Sequence, residues 1–278
     1  MEDTEQLRAE LADVAASLRA YLEQQAASGA TGIPRGEVLA RKLAVPTPTP
    51  TSAAAPAPPN RVGLVAKPDR HTRLPELARE VSTCTLCKLS ATRTHTVFAR
   101  GNPDAAICFI GEAPGAEEDE QGVPFVGRAG QLLDKMIIAM GLSPERDVYV
   151  LNIIRCRPPG NRRPEPEEVA ACLPYLHEQL DLVGPKVIVA LGNTAVGTLL
   201  GTTLGITKLR GQWKLYRGTT LVMPTYHPSY LLRPSAQQAE AKKQVWEDLQ
   251  AVLTELKLPI PTSKKRGDTA RESEEDPP

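Results

Sequence analysis

The chain has 278 residues, in which 33 Lys and Arg are balanced by 33 Asp and Glu. A formal net charge of zero argues against a purely electrostatic DNA binder of the histone type. No apolar run approaches the roughly eighteen residues of a membrane span, and the acidic N-terminus does not resemble a signal peptide. We therefore expect a cytoplasmic protein without a membrane partner.

The two ends of the chain differ in composition from its centre. Residues 1–27 are predicted as an N-terminal helix, because five apolar residues of segment 4–27 follow a 4-3-4-3 spacing. Such a narrow stripe suits a coiled coil or a docking helix, so we expect a protein partner or self-association there. Residues 28–71, rich in Pro and Ala, are predicted as a linker, and the charged residues 258–278 as a disordered tail.

Between residues 72 and 257, short apolar runs alternate with helical patterns. The predicted strands are Ala106–Ile110, Val148–Leu151 and Val187–Leu191. The predicted helices are Gly130–Met140, Glu165–Val183, Asn193–Leu200 and residues 236–256. A hairpin of Trp213–Tyr216 and Thr220–Met223 precedes the last helix. This alternation predicts an α/β domain whose parallel sheet is covered on both faces.

Ligands of such sheets bind at the carboxyl ends of the strands, so three loops are of interest: 111–127, 152–164 and 226–235. The first contains a tight Gly-Glu-Ala-Pro-Gly turn from Gly111, whose backbone N–H groups can face a ligand. Phe125 lies later in the same loop. It can stack on a base or simply cover the loop.

Basic residues are concentrated in the second loop, after Asn152. Arg155, Arg157, Arg162 and Arg163 fall within nine residues of Pro- and Gly-rich sequence. A local basic loop can neutralise phosphates in a chain of zero net charge, although a solvated loop would look the same. Asn152 itself offers one donor and one acceptor side by side, but asparagine is also common in turns.

The third loop reads His-Pro-Ser-Tyr-Leu-Leu-Arg-Pro from His227. A histidine just past a strand and fixed by the following proline can donate a hydrogen bond to a developing anion, although a lone histidine is more often structural. Leu231 and Leu232 can wedge into a base stack or cap the core. Arg233 adds a positive charge beside them.

Four of the five cysteines suggest one metal site. Cys84 and Cys87 form a Cys-x-x-Cys pair, and Cys156 and Cys172 each lie in a polar or Pro-rich setting. Cys108 alternates within a strand pattern and is interpreted as a core residue. Four thiols suit either a zinc ion or a cubane iron–sulfur cluster, and unrelated buried thiols remain the alternative.

Taken together, the motifs GEAPG, PFVG, LNIIRCRPPGNR and HPSYLL, with cysteines at positions 84, 87, 156 and 172, resemble the family-four uracil-DNA glycosylases. The resemblance covers about residues 74–256. It implies a three-layer α/β/α fold with a central parallel four-stranded sheet, a [4Fe–4S] cluster on the four cysteines and a monomeric catalytic domain. It also implies excision of uracil from DNA in the bacterial or archaeal nucleoid.

The resemblance assigns roles to the residues already named. Phe125 would stack on uracil, Asn152 would read its edge, and His227 would stabilise the charge that grows on the leaving base. Leu231 and Leu232 would fill the gap in the DNA. The phosphates would be held by Arg155, Arg157, Arg162, Arg163 and Arg233.

One position departs from a related motif. Relatives with a GQDPY-type turn place a water-positioning Asp where this chain has Ala113, which we expect to contact the substrate instead. Glu112 is the hypothesised substitute that orients the water or the loop, with Glu118 and Asp119 as the next candidates.

Two other functions stay open: a non-catalytic DNA-binding module, and a covalent uracil binder. Against the latter, segment 206–212 has no histidine.

Overall fold

The computed structural model describes residues 69–261, so the predicted N-terminal helix, almost all of the linker and most of the tail lie outside the described residues. Within the described range, no helix is both long enough and apolar enough to cross a membrane. The first helix, α1, spans Arg70–Ser82 and begins where the Asp69 carboxylate accepts hydrogen bonds from the backbone N–H and hydroxyl of Thr72.

Six strands form one sheet in the order β1-β3-β2-β4-β6-β5. The strands are β1 Arg100–Gly101, β2 Ile107–Gly111, β3 Val148–Asn152, β4 Val187–Leu191, β5 Lys214–Tyr216 and β6 Thr220–Thr225. The four central strands are parallel, and the short β1 and β5 pair antiparallel at the two edges. The predicted four-stranded parallel sheet is therefore confirmed as the centre of a larger mixed sheet.

Helices cover both faces of this sheet. After α1 they are α2 Ala116–Gln121, α3 Arg128–Ala139, α4 Pro166–Val183, α5 Gly192–Leu200, α6 Ile206–Leu209, α7 Pro228–Leu231 and α8 Gln238–Glu255. Alternate residues of β2 divide the core: Cys108 and Ile110 pack with α1, α4 and α5, whereas Ile107 and Phe109 pack with α3 and α8. The three-layer α/β/α fold is thus confirmed, and Cys108 is a buried core residue as interpreted.

Two short helices lie in segments that were predicted as loops. In α2 the Glu118 side chain accepts from the backbone N–H of Gly115, a capping interaction that starts the helix, and acidic residues in its first turn complement the helix dipole. In α7 the cap is His227, whose ring accepts from the Ser229 backbone N–H. Both helices place side chains at the carboxyl ends of the strands.

A buried ionic cluster joins the end of β6 to α8. The Asp248 carboxylate accepts from Arg210 Nη2 at 2.5 Å and from Thr225 Oγ1 at 2.6 Å, and Arg210 also donates to the Gln244 carbonyl at 2.8 Å. Burial raises the pKa of Asp248, while the hydrogen bonds from Thr225 and Arg210 oppose that effect. The cluster fixes the last residue of β6, two positions before His227.

We predict that Asp248→Ala lowers the free energy of unfolding by about 3–5 kcal/mol, because removing one partner leaves the other buried charge uncompensated. Urea unfolding followed by circular dichroism measures this change. The control Lys243→Ala removes an exposed pair with Glu247 and should change stability by less than about 1 kcal/mol. Equal stability of the two variants would contradict the structural importance of the cluster.

Candidate active site

The carboxyl ends of the parallel strands open into a cavity of about 340 Å³. The strand register brings these carboxyl ends to the same edge of the sheet, because Gly111 pairs with Asn152 and Leu191 pairs with Thr225. All three predicted loops contribute to the lining, which includes Glu112, Ala113, Glu118, Phe125, Arg128, Asn152, Asn161, Arg162, His227 and Ser229. The volume lies in the usual range for small-ligand sites.

Asn152 and Phe125 meet over Gly111. A Cβ atom at Gly111 would lie 2.4 Å from Phe125 Cζ and 2.5 Å from Asn152 Oδ1, so only glycine leaves room for both side chains. Asn152 is 2% exposed, and its Oδ1 is buried without a hydrogen-bond partner. An unsatisfied buried acceptor is costly unless a ligand supplies the donor. The Asn152 carboxamide is therefore prepared to bind a donor that enters the cavity.

Phe125 is held in place by the carboxylate of Glu118. Glu118 Oε1 accepts from the backbone N–H groups of Val126 at 3.0 Å and Gly127 at 2.9 Å, and Oε2 accepts from that of Gly115 at 3.0 Å. Phe125, between these anchored segments, has a φ of 56°, which is unusual for an aromatic residue. Glu118, which was predicted only as an alternative candidate to Glu112, thus supports the loop that contains Phe125. Its spacing of three residues from Gly115 is the signal for that capping role.

Glu112 lies at the cavity wall and joins the first loop to α5. Its carboxylate accepts from Thr194 Oγ1, which in turn accepts from Arg163 Nε at 3.0 Å. Sequence reasoning did not identify Thr194, because a single threonine at the start of a helix carries no distinctive signal. Asp119, the other alternative candidate, does not line the cavity; it is buried and accepts from the Thr94 backbone N–H. Glu112, Glu117 and Glu118 are the acidic residues that line the cavity.

His227 reaches the cavity from the end of β6, with its ring centroid 5.9 Å from that of Phe125. The Ser229 backbone N–H donates to Nδ1 at 3.1 Å, and because a backbone N–H can only donate, Nδ1 is the acceptor. Neutral His227 therefore carries its proton on Nε2. Gly192 allows the close approach, since its φ is +85° and a Cβ there would lie 3.0 Å from His227 Cβ.

Burial and, to a smaller extent, the positive charge of Arg233 lower the pKa of His227 to about 4, against the opposing effect of Glu118. The imidazole is thus neutral at physiological pH. Its Nε2–H is then a hydrogen-bond donor that needs no prior protonation.

Two residues predicted to contact DNA are placed in the interior. Arg155 is 1% exposed and donates to backbone carbonyls and to Gln179, which contradicts the predicted phosphate contact. Leu231 is 2% exposed and packs in the core beneath α7, which contradicts a wedge role and matches core capping. Leu232 is half-buried, and Tyr230 in the same helix is exposed.

The other predicted arginines are half-buried or exposed, and of these Arg162 lines the cavity. Arg162 forms a bidentate pair with Glu168, and Arg157 donates to the Asn161 side chain at 2.7 Å. Arg163 and Arg233 are exposed. Arg128, at the first position of α3, also lines the rim and was not identified from the sequence.

The four predicted ligand cysteines line a second, smaller cavity together with Arg93, Arg155 and Tyr175. All four are free thiols. Cys156 and Cys172 are buried, and Cys84 and Cys87 are half-buried. In residues 69–261, no group of three or more Cys, His, Asp or Glu side chains converges on a single ion position. The structure therefore brings the four thiols to one cavity without defining a site for one ion.

Positive charge surrounds this cysteine cavity. Arg93 Nη1 donates to Cys156 Sγ at 3.2 Å, and Arg155 lines the same cavity together with Cys172. Burial raises the pKa of Cys156 to about 11 and also raises that of Cys172. Two guanidinium groups beside buried thiols suit an anionic centre, because a metal or cluster binds thiolates and removes their protons. The donor set therefore fits a thiolate-bound group.

Comparison with known proteins agrees with this geometry. Residues 98–250 match the model of the uracil DNA glycosylase superfamily. The chain belongs to this superfamily, so the predicted family is confirmed.

Three relatives narrow the class within the superfamily. The type-4 uracil-DNA glycosylase of Thermotoga maritima is 45% identical over 65% of this chain and 93% of its own length. That of Sulfurisphaera tokodaii is 46% identical over 57% of this chain and 76% of its own length, and that of Archaeoglobus fulgidus 42% identical over 59% and 86%. The chain is thus similar to type-4 enzymes over most of their length.

We predict that the rate of the reaction at this site is flat from about pH 5 to pH 8, without the inflection near 6.5 of an ordinary histidine. Protonation near pH 4 converts Nδ1 from an acceptor into a donor that opposes the Ser229 N–H, so activity should fall there. Since the unfolded chain binds this proton at a higher pH, stability should decline as pH falls from about 6.5 towards 4. Single-turnover rates against pH test the prediction, and an inflection near 6.5 would contradict it.

Proposed function

We propose that the protein removes uracil from DNA by hydrolysing the N-glycosidic bond, the first step of base excision repair. The observation that carries this proposal is the unpartnered Oδ1 of Asn152 at the base of the cavity, beside the Phe125 ring. The carboxamide would accept from uracil N3–H and donate to O4, while Phe125 stacks on the ring. The family and the names of its relatives support the same reaction.

Selection against cytosine follows from the same carboxamide. Cytosine has an amino donor in place of O4 and no proton on N3, so it would leave buried polar groups of Asn152 and of the base unpaired. Sites built to hydrogen-bond one pattern discriminate strongly against the analogue that lacks it. The target base must also leave the helix stack to reach the cavity, at a cost of a few kcal/mol.

The surface around the cavity supplies contacts for DNA. Arg157, Arg163 and Arg233 are at or near the surface and are proposed to hold phosphates, together with Arg162 where its pair with Glu168 allows. The half-buried Leu232 is the proposed wedge in place of Leu231. Because this basic surface is local, affinity for DNA should depend on salt through a few phosphate contacts.

Bond cleavage leaves negative charge on uracil and positive charge on the sugar. His227 is proposed to stabilise the uracil anion through Nε2–H, and the backbone N–H groups of the turn from Gly111 assist. Glu112 is proposed to orient the attacking water near Ala113, and its carboxylate also favours a cationic sugar. Thr194 and Arg163 hold Glu112 in this orientation.

We also propose that Cys84, Cys87, Cys156 and Cys172 bind a [4Fe–4S] cluster, because one cavity gathers all four thiols beside two guanidinium groups. Zinc is the alternative metal. The cluster would supply structural restraint, since hydrolysis transfers no electron. We further propose that the catalytic domain is monomeric, that the protein acts in the bacterial or archaeal nucleoid and cytoplasm, and that residues 4–27 bind a partner.

The function is tested by incubating the full chain with a uracil-containing oligonucleotide and measuring free uracil. Wild-type protein should release it, and Asn152→Ala should be slower by about 10²–10³-fold, because the leaving base loses its buried hydrogen bonds. Asn102→Ala, which changes a turn asparagine outside the cavity, is the matched control. Tight binding without uracil release would identify a binding module instead.

The cluster is tested by absorbance and iron analysis of aerobically purified protein. We predict broad visible absorbance and iron in the wild type, and loss of both in Cys156→Ser, whereas Cys108→Ser should keep them because Cys108 is a buried core residue that does not line the cysteine cavity. Zinc without visible absorbance would favour the alternative metal.

A further inference from the structure

Arg155 connects the cysteine cavity to the base-binding cavity. It is among the largest fully buried side chains of the described residues, and it adjoins the ligand candidate Cys156 in sequence. Its side chain lines the cysteine cavity. At its other end, Nη1 donates to the carbonyl of Asn152 and, at 3.3 Å, to that of Ile153. Arg155 therefore lines the cysteine cavity and also contacts Asn152, a lining residue of the base-binding cavity.

Further hydrogen bonds fix the direction of this guanidinium. Nη2 donates to Gln179 Oε1 at 2.5 Å, and Gln179 Nε2 donates to Tyr149 Oη at 2.7 Å. Gln179 is fully buried on α4, the helix that also carries Cys172. Arg155 Nε, in contrast, is buried and has no partner. The Arg155 side chain thus keeps one buried N–H donor without an acceptor.

The charge of Arg155 also lacks a counterpart among protein carboxylates. Its hydrogen-bond partners are neutral, and within residues 69–261 no Asp or Glu forms an ion pair with it. A buried unpaired charge is expensive and is normally compensated by an opposite charge. The neighbouring groups that can become anionic are Cys172, Tyr149, Cys108 and Cys156, and Cys172 has the largest electrostatic effect on Arg155. Four thiolates around a cluster would provide the missing negative charge.

We propose that Arg155 is a positioning residue that couples the cysteine site to uracil recognition. The anionic, thiolate-bound group would hold the guanidinium, and the guanidinium holds the Asn152 carbonyl, so the cysteine site fixes the direction of the Asn152 carboxamide. This inference rests on the proposed function and deepens it. It explains why a cluster without a redox task lies beside the strand that ends in Asn152.

The main test replaces Arg155 with Met, which keeps length but removes charge and donors. Two readouts besides catalytic rate are measured: the rate at which a chelator bleaches the visible absorbance, and the inhibition constant of free uracil. We expect Arg155→Met to lose its cluster about 10–100-fold faster, the usual effect of removing a residue that supports a metal ligand. The uracil inhibition constant should rise by a similar factor, with little change in the affinity for DNA.

Control variants separate this effect from a loss of surface charge or of folding. Arg79→Met removes an exposed arginine at the end of α1 and should leave both readouts unchanged. Arg155→Lys restores the charge and should recover slow bleaching more completely than uracil binding, because a single ammonium cannot reproduce the guanidinium contacts. If Arg155→Met does not fold, Gln179→Met is the substitute variant, because it removes the side-chain acceptor of Arg155. Bleaching should then be faster and the uracil inhibition constant higher, as expected for Arg155→Met.

The outcomes distinguish this inference from the function on which it rests. Wild-type bleaching and wild-type uracil inhibition in Arg155→Met, or in Gln179→Met where the former is insoluble, would overturn the coupling. Faster bleaching with unchanged uracil inhibition would also overturn it, because Arg155 would then serve the cluster alone. Failure of the wild-type chain to release uracil would reject the proposed function, whereas the bleaching assay would still report on Arg155 and the cysteine site.

Discussion

The parallel pairing of β2 with β3 is the constraint on which the candidate site depends. Its register places Gly111 opposite Asn152, and the missing Cβ of Gly111 is the space in which the Asn152 carboxamide and the Phe125 ring meet. A slip of one residue would turn Asn152 to the other face of the sheet. His227 then arrives from β6 on the same edge, because all four central strands run in one direction.

Buried polar groups, together with buried apolar residues such as Ile153 and Leu231, give the loops at this edge their shape. Glu118 gathers three backbone N–H groups around Phe125, and Glu168 binds Arg162 while capping α4. The Asp248 carboxylate likewise holds the end of β6, because it accepts a hydrogen bond from the Thr225 hydroxyl. Groups held in this way need little reorganisation when a ligand binds, which is the physical basis of a preorganised site.

Much of this fold was predictable because buried parallel strands and amphipathic helices have clear periodicities. The strand Val187–Leu191 was predicted with its observed bounds, whereas β1, with two residues, is too short for any period. The sequence shows that Arg155 and Arg157 are both positively charged, but it does not show which of them is buried. Burial depends on whether the side chain points to the interior or to the solvent side of the loop. Leu231 and Leu232 differ for the same reason. Helix α2 was missed because its six residues are mostly acidic and its cap involves a glycine.

The distribution of charge in the cavity matches the charge separation of the proposed reaction. The side chains proposed to surround the base, Asn152, Phe125 and neutral His227, carry no net charge, so the donors of Asn152 and His227 can stabilise a uracil anion. The carboxylate of Glu112 lies elsewhere on the cavity wall, where it can favour a cationic sugar. A protonated histidine would be attracted to Glu118 and would oppose the Ser229 N–H, so the low pKa of His227 keeps Nδ1 as the acceptor and Nε2–H as the donor for its proposed contact with the base.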